Sequence, residues 1–253
     1  MPDGQRKSAC ADLHFAPTPG ARENLLREGV PEDRIVVTGN TVIDALLLAR
    51  RMLEQKRAAS ARPDPGPEVV NDAPMVLVTL HRRENLRADR LAQVEEALVR
   101  LSVEEGCRVV FPAHPNPALS GLVQRLRGRH PNLQVIAPQT YVDFIGLLED
   151  ASMILSDSGG VQEEAAFLGK LVLIMRDSTE RPEVLGAGTG QLVGTDAGTI
   201  LAAVREILPG LRAGGPSTRG TLAFGTGGAA EMIVRHLMEQ ETSGLPGGDN
   251  VRQ

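Results

Sequence analysis

Short, continuously apolar runs alternating with amphipathic stretches constrain this chain more than any other feature. Met75–Leu80 reads Met-Val-Leu-Val-Thr-Leu, and Arg108–Phe111, Leu133–Ile136, Met153–Leu155 and Leu171–Met175 are runs of the same kind. Between them lie segments with apolar residues at helical spacing: Leu91, Val94, Leu98 and Leu101 within Ala88–Glu104, then Gly121–Arg127, Val142–Leu148 and Val161–Leu168. A strand without a polar face must be covered on both sides, and a helix after each strand supplies the cover. The pattern predicts an α/β fold whose parallel sheet carries helices on both faces. The series continues with a short strand at Gln191–Val193 and helices at Thr199–Leu208 and Glu231–Gln240. Ahead of it, Leu13–Ala16 and Arg34–Thr38 read as strands and Ala21–Glu28 as a helix stopped by Gly29. A Gly39-Asn40 turn then leads into a helix carrying Val42, Ala45, Leu46, Ala49 and Leu53. Arg62–Pro74, rich in Pro, Gly and Asp, separates the two series as a linker.

Composition removes several classes of function. The 253 residues, 42% of them hydrophobic, suffice for one large domain or two small ones. Trp is absent and aromatics are 2%, so Leu, Val, Ile and Ala must build the core. The net charge of −5 and the lack of a basic tract give no reason to expect nucleic acid or an anionic membrane as partner. The longest apolar runs fall far short of the ~20 residues that span a bilayer. Met1–Asp12 lacks the apolar core of a signal peptide. Cys10 and Cys107 form neither a CxxC pair nor a Cys/His cluster, so no structural metal and no disulfide framework is expected, and a reducing cytoplasm fits.

In a parallel sheet the chemistry gathers beyond the carboxyl ends of the strands. The loop Ser156-Asp157-Ser158-Gly159-Gly160 is the most informative one. Two glycines permit a sharp turn and a close approach to a ligand. The free N–H groups at the start of the next helix favour an anion, and a diphosphate fits. Glu163 and Glu164 either complement the helix dipole or, in the case of Glu164, meet hydroxyl donors such as a ribose diol. The loop Thr79–Asn85 offers His81, Arg82 and Arg83 to a phosphate, or is a solvated basic turn with Glu84 as local partner. In Arg176–Glu183, Arg181 either reaches a ligand or pairs with Glu180 or Glu183. The two prolines of His114-Pro115-Asn116-Pro117 hold His114 in place, for a ligand or as a rigid turn only. Gln139 and Phe144 suit a planar base, unless Phe144 belongs to the core with Leu147 and Leu148. Asp157-Ser158-Gly159-Gly160 resembles the nucleophile loop of chymotrypsin-like proteases, but those are antiparallel double barrels and this chain alternates strand and helix.

Together the stretches HFAPT (His14–Thr18), VTGNTVIDAL (Val37–Leu46), VTLHRREN (Val78–Asn85), AHPNP (Ala113–Pro117), SDSGGVQEEA (Ser156–Ala165) and RDSTERPE (Arg176–Glu183) resemble the non-hydrolysing UDP-N-acetylglucosamine 2-epimerases, in family order and at family-like spacing. The resemblance implies a GT-B-like architecture: a Rossmann-like parallel sheet domain, plus the remnant of a second Rossmann-like domain. It divides the chain into residues 1–60 as that remnant with its connecting helix, 61–74 as linker, 75–240 as a UDP-binding domain and 241–253 as a disordered tail. It implies UDP-GlcNAc or UDP as ligand, no metal and no other cofactor, and a homodimer for the full-length enzyme. By analogy Gln139 and Phe144 contact the uracil region. Ser158, Gly159 and Gly160 bind phosphate, Glu164 takes the ribose hydroxyls, and Arg181 and the catalytic His81 hold the diphosphate. Arg82 and His114 are implied as contacts of a second, regulatory UDP-sugar. A non-catalytic UDP-sugar binding module and a GT-B glycosyltransferase are the alternatives.

The chain departs from the family pattern in two places. The family's additional N-terminal length, with its Gly-Thr-Arg-Pro-Glu loop and the acidic residues assigned to proton transfer, has no counterpart here, so the expectation is a chain carrying the nucleotide-binding half. The family's Asn-Pro-Tyr-Gly-Asp-Gly segment stands here as Leu222-Ala223-Phe224-Gly225-Thr226-Gly227. A first domain reduced to about two strands leaves apolar faces uncovered, so the chain is expected to associate.

Overall fold

The computed structural model describes residues 11–59, 73–215 and 218–242. The linker expected at 61–74 lies outside them except for its last two residues, and the tail expected at 241–253 except for its first two; Cys10 lies outside as well. In chain order the elements are β1 (His14–Ala16), α1 (Pro19–Arg27), β2 (Ile35–Val37), α2 (Thr41–Ala59), β3 (Met75–Thr79), α3 (Ala88–Val103), β4 (Arg108–Pro112), α4 (Ser120–Leu126), β5 (Leu133–Ile136), α5 (Tyr141–Asp150), β6 (Met153–Ser156), α6 (Gly159–Phe167), β7 (Val172–Ile174), α7 (Pro182–Gly186), β8 (Gly190–Leu192), α8 (Ala197–Arg212) and α9 (Ala229–Thr242). They form two compact units, residues 48–221 and residues 11–47 with 222–242.

In the larger unit six parallel strands lie in the order β5-β4-β3-β6-β7-β8. Alternation along the central strands explains the cover on both faces. Val76 and Val78 of β3, with Met153 and Leu155 of β6, share one core with Leu91, Val94, Leu98 and Leu101 of α3 and Ile200, Leu201 and Val204 of α8. Leu77 and Ile154 point the opposite way and are equally buried. The chain progresses outward from β3 through β4 to β5, then returns and progresses the other way from β6 through β7 to β8. The reversal leaves a crevice at the carboxyl ends of β3 and β6, the favoured place for a ligand in such sheets. There Thr79 and Ser156 are the last paired residues, and their hydroxyls hydrogen bond at 2.6 Å.

Two differences from the sequence expectation bear on the site. Helix α6 begins at Gly159 and not at Val161, because the Ser158 hydroxyl accepts the Val161 N–H at 3.5 Å and makes Ser158 the N-cap. The two glycines are therefore the first residues of the helix, and neither has positive φ. The segment Arg176–Glu183, read as one charged loop, contains the start of α7, with Pro182 in the first-turn position that proline favours.

In the smaller unit β1 and β2 pair in parallel, Ala16 opposite Val37. Thr18 caps α1 by accepting the Ala21 N–H at 3.0 Å. The chain rejoins this unit at Leu222. The Asn40 N–H donates to the Phe224 carbonyl at 2.8 Å, and Gly39 and Gly225, both at positive φ, meet so closely that a Cβ on Gly225 would lie 3.2 Å from the Gly39 Cα. Asp44 of α2 accepts the N–H groups of Gly228 (2.5 Å) and Ala229 (3.2 Å) and so caps α9 from another helix. Phe224 is fully buried in the segment that departs from the family pattern.

Candidate functional site

A cavity of about 400 Å³ opens at the carboxyl ends of β3, β4 and β5, against the start of α6. Five of the residues expected to bind ligand line it together: His81, His114, Gln139, Phe144 and Ser158. They come from four different post-strand segments, so the sheet topology assembles them. His81 and His114 stack with ring centroids 5.7 Å apart and planes 23° apart. His114, implied by the resemblance as a contact of a second UDP-sugar, lines the wall of this cavity. Phe144 is half-buried and faces the cavity, while its neighbours Ile145 and Leu148 fill the core. Gln139 is exposed and donates to the Ala137 carbonyl at 2.7 Å.

The rear of the site is held by Asp157, which is fully buried (0% exposed). Its carboxylate accepts the backbone N–H groups of His81 (3.1 Å) and Arg82 (2.8 Å) and the Asn85 amide (3.2 Å). His81 Nδ1 lies 3.2 Å from the same carboxylate. Burial pulls the Asp157 carboxyl upward, but the His81 hydrogen bond and the two backbone N–H groups outweigh it and hold it below the usual carboxylate range. Asn85 also donates to the Met175 carbonyl at 2.8 Å, tying the loop after β3 to the end of β7.

The start of α6 adjoins the cavity with Ser158 as its N-cap. Ser158 occupies the Val161 N–H, which leaves the N–H groups of Gly159 and Gly160 among the donors that no turn of the helix satisfies. Two guanidinium groups converge there. A Cβ placed on Gly159 would lie 3.4 Å from Arg82 Nη2 and 3.8 Å from Arg181 Nη2, whereas one on Gly160 would meet open space. Arg82, implied by the resemblance as a contact of a second UDP-sugar, thus lies beside Gly159 together with Arg181. Arg83 is exposed in a short 3-10 turn. Glu84 pairs with Arg176, Nε to Oε1 3.4 Å, in the loop after β7 and not within its own loop.

The two glutamates of α6 are buried, Glu163 at 3% and Glu164 at 4% exposure, so neither is a solvated partner of the helix dipole. Glu163 pairs with Arg181 Nε, and Arg181 Nη1 donates to the Glu180 carbonyl at 3.2 Å. The carboxylate that holds Arg181 is thus on the helix, not at Glu180 or Glu183. A second tie runs from α6 to the same loop: Thr179 Oγ1 donates to Gln162 Oε1 at 2.7 Å and accepts the Arg181 N–H at 3.1 Å. Glu164 accepts from the Tyr141 hydroxyl at 2.7 Å. Burial pushes the Glu164 carboxyl up to about 7, with the Tyr141 hydrogen bond opposing and the Glu163 charge adding to the rise.

Sequence reasoning passed over Asp157 and Tyr141 as site residues. Asp157 sits inside the motif, but a carboxylate next to an anion site reads as repulsive until its N–H donors are seen. Tyr141 lies two residues from Gln139, and only the approach of α5 to α6 reveals its hydroxyl as a partner of Glu164. Among the described residues no group of three or more His, Cys, Asp or Glu is placed to hold a metal ion. No described helix is long and apolar enough to cross a membrane.

A family model described as UDP-N-acetylglucosamine 2-epimerase matches residues 5–238. The chain is 40% identical over 235 residues to the UDP-N-acetylglucosamine 2-epimerase of Salmonella typhimurium, covering 92% of this chain and 62% of that protein. The structure is similar to that of the Neisseria meningitidis UDP-GlcNAc 2-epimerase bound to UDP-GlcNAc, with TM-score 0.85, 35% identity, and coverage of 92% and 62% of the two chains. It is similar also to an S. aureus MnaA–UDP co-structure, with TM-score 0.82, 33% identity, and coverage of 97% and 64%. The architecture is the GT-B-like one of these neighbours, and the chain spans about three-fifths of the length of the relatives it matches.

Proposed function

The chain belongs to the UDP-N-acetylglucosamine 2-epimerase family, and from that premise we propose that its larger unit binds the UDP part of UDP-GlcNAc and serves the interconversion of UDP-GlcNAc and UDP-ManNAc. The observation that carries this reading is the convergence, at one topological switch point, of a cavity lined by His81, His114, Gln139, Phe144 and Ser158 with a helix start flanked by Arg82 and Arg181. Each part suits one part of the ligand. The aromatic face of Phe144 and the amide of Gln139 suit a pyrimidine base. The buried Glu164 carboxyl suits a pair of ribose hydroxyls. The free N–H groups of Gly159 and Gly160, with two guanidiniums beside them, suit a diphosphate.

The proposed chemistry is elimination across C1–C2 of the sugar, in which C2 loses a proton to a base and C1 loses UDP to leave a C1=C2 double bond. A proton then returns to the opposite face of C2 and UDP re-adds at C1. The base and acid are the acidic residues that the resemblance assigns to the family's N-terminal length. As the C1–O bond breaks, negative charge grows on the departing diphosphate. His81, Arg181, Arg82 and the start of α6 are fixed in place before that charge appears, so they stabilise it without reorganising. Bonds to an ionised partner contribute roughly 1.5–3 kcal/mol each, so removing His81 or Arg181 is expected to weaken UDP binding or slow elimination by about ten- to a hundred-fold.

Calorimetric titration with UDP tests the reading, with uridine as the control that lacks the diphosphate. UDP is expected to bind and uridine to bind far more weakly. A well-folded chain that takes up no UDP contradicts the proposal. Conversion of UDP-GlcNAc to UDP-ManNAc separates epimerisation from a non-catalytic binding role, and transfer of the sugar to an acceptor would favour a glycosyltransferase instead.

A further inference from the structure

Asp157 is a buried carboxylate whose hydrogen-bond partners include no Lys or Arg side chain. Its four donors are two backbone N–H groups, the Asn85 amide and His81 Nδ1. A buried anion is costly unless it is compensated. His81 is the one partner able to supply a positive charge. The geometry also fixes which ring nitrogen does what. His81 Nδ1 sits 3.2 Å from Asp157 Oδ1 on the rear side, and the ring is stacked on His114 in the cavity wall. The backbone of the same residue is tied to the same carboxylate. A half-turn of the ring would keep the stack on His114 but break the Nδ1 contact with Asp157.

We infer that Asp157 is the positioning residue for His81: it accepts the Nδ1 proton, presents Nε2 to the cavity, and neutralises the ring when Nε2 carries a second proton toward a ligand anion. The inference rests on the reading that this cavity receives a uridine diphosphate. The charged and titratable neighbours enter from separate elements. His114 stacks on the ring from the loop after β4, Arg82 follows it in its own loop, and Arg181 reaches Gly159 from the loop after β7. Tyr141 lines the cavity from α5. A protonated His81 needs a compensating carboxylate, and the buried Asp157 is the carboxylate in contact with it. With Nδ1–H committed to Asp157, the ring donates to an anion only through Nε2, so the bound state carries both protons.

The test is nitrogen-15 NMR of the histidine rings in the intact chain, with His81 assigned from the spectrum of H81Q, together with UDP titration of the wild type and of D157N. The expected result is an Nδ1-protonated His81 in the free chain at pH 7.5 and a doubly protonated His81 once UDP saturates it. D157N should bind UDP at least ten-fold more weakly and leave His81 as a mixture of tautomers, a change that loss of packing alone would not produce. An Nε2–H, Nδ1-unprotonated ring in the wild type overturns the inference, as does D157N with unchanged affinity and an unchanged His81 signature. If D157N fails to fold, the wild-type ring signature decides. Failure of the wild type to bind UDP defeats the functional reading instead, and the ring signature of the free chain still judges the pairing of Asp157 with His81.

Discussion

The Tyr141 hydroxyl donates to Glu164 Oε1 at 2.7 Å, joining the first turn of α5 to the second turn of α6 at the edge of the cavity. Glu164 is 4% exposed, and burial lifts its carboxyl from the ordinary 4.5 to about 7. A raised folded-state value means that the folded chain holds this proton more tightly than the unfolded one. The stability this contributes is fully present below pH 4.5 and is lost as pH rises to about 7. The shift corresponds to about 3 kcal/mol. E164Q, which keeps an acceptor for Tyr141 but has no charge to bury, should therefore melt higher than the wild type at pH 8, by roughly 5 °C or more. The difference should vanish near pH 5, and UDP binding should weaken at both. Differential scanning fluorimetry across pH checks the first part and calorimetry the second.

Removing the other partner acts differently. Y141F keeps the ring but leaves the buried Glu164 without the hydroxyl that now donates to it. A buried acceptor stripped of its donor costs about 1–3 kcal/mol. Y141F should be destabilised by that amount at pH 8, in contrast to the gain expected for E164Q, and a denaturant titration of both variants reads the opposite signs.

The adjacent glycines at the start of α6 should respond unequally to alanine. At Gly159 a methyl group would press on the ends of Arg82 and Arg181, at 3.4 and 3.8 Å, while at Gly160 it would meet nothing within 4 Å. G159A is expected to displace the two guanidiniums and lower UDP affinity with little loss of stability. G160A is expected to gain up to about 1 kcal/mol from the lower entropy of alanine in a helix. Melting and UDP titration of the two variants together check the contrast.

Helix α9 exposes Val234, Leu237 and Met238 on one side, the last 62% exposed. Contiguous apolar surface of this kind drives association in water. The chain should show concentration-dependent association in light scattering, reduced by V234K combined with M238K. A monodisperse monomer at high concentration would count against this expectation.

Much of the sheet was legible because burial on both faces forces apolar runs at β3, β4, β6 and β7, and the helices between them keep their period. Edge strand β8 was displaced by one residue, since Gln191 and Leu192, which point to opposite faces, are both exposed and Gly190–Leu192 carries no such run. The residues of the cavity wall were legible from their place after strands and from the family motifs. Their partners were not. That Glu163 holds Arg181, that Asp157 holds the loop of His81, and that Tyr141 reaches Glu164 are contacts over 18, 76 and 23 residues. Local spacing carries no record of such contacts. The start of α6 was misplaced because glycine usually breaks a helix, whereas the Ser158 cap sets the boundary before both glycines.

The most direct measurement is a crystal structure of the chain grown with UDP. The diphosphate is expected at the N–H groups of Gly159 and Gly160, between Arg82 and Arg181, with His81 Nε2 on a phosphate oxygen, the ribose at Glu164 and the base beside Gln139 and Phe144. Nucleotide density on any other surface, or a diphosphate out of reach of His81 and Arg181, would contradict this placement.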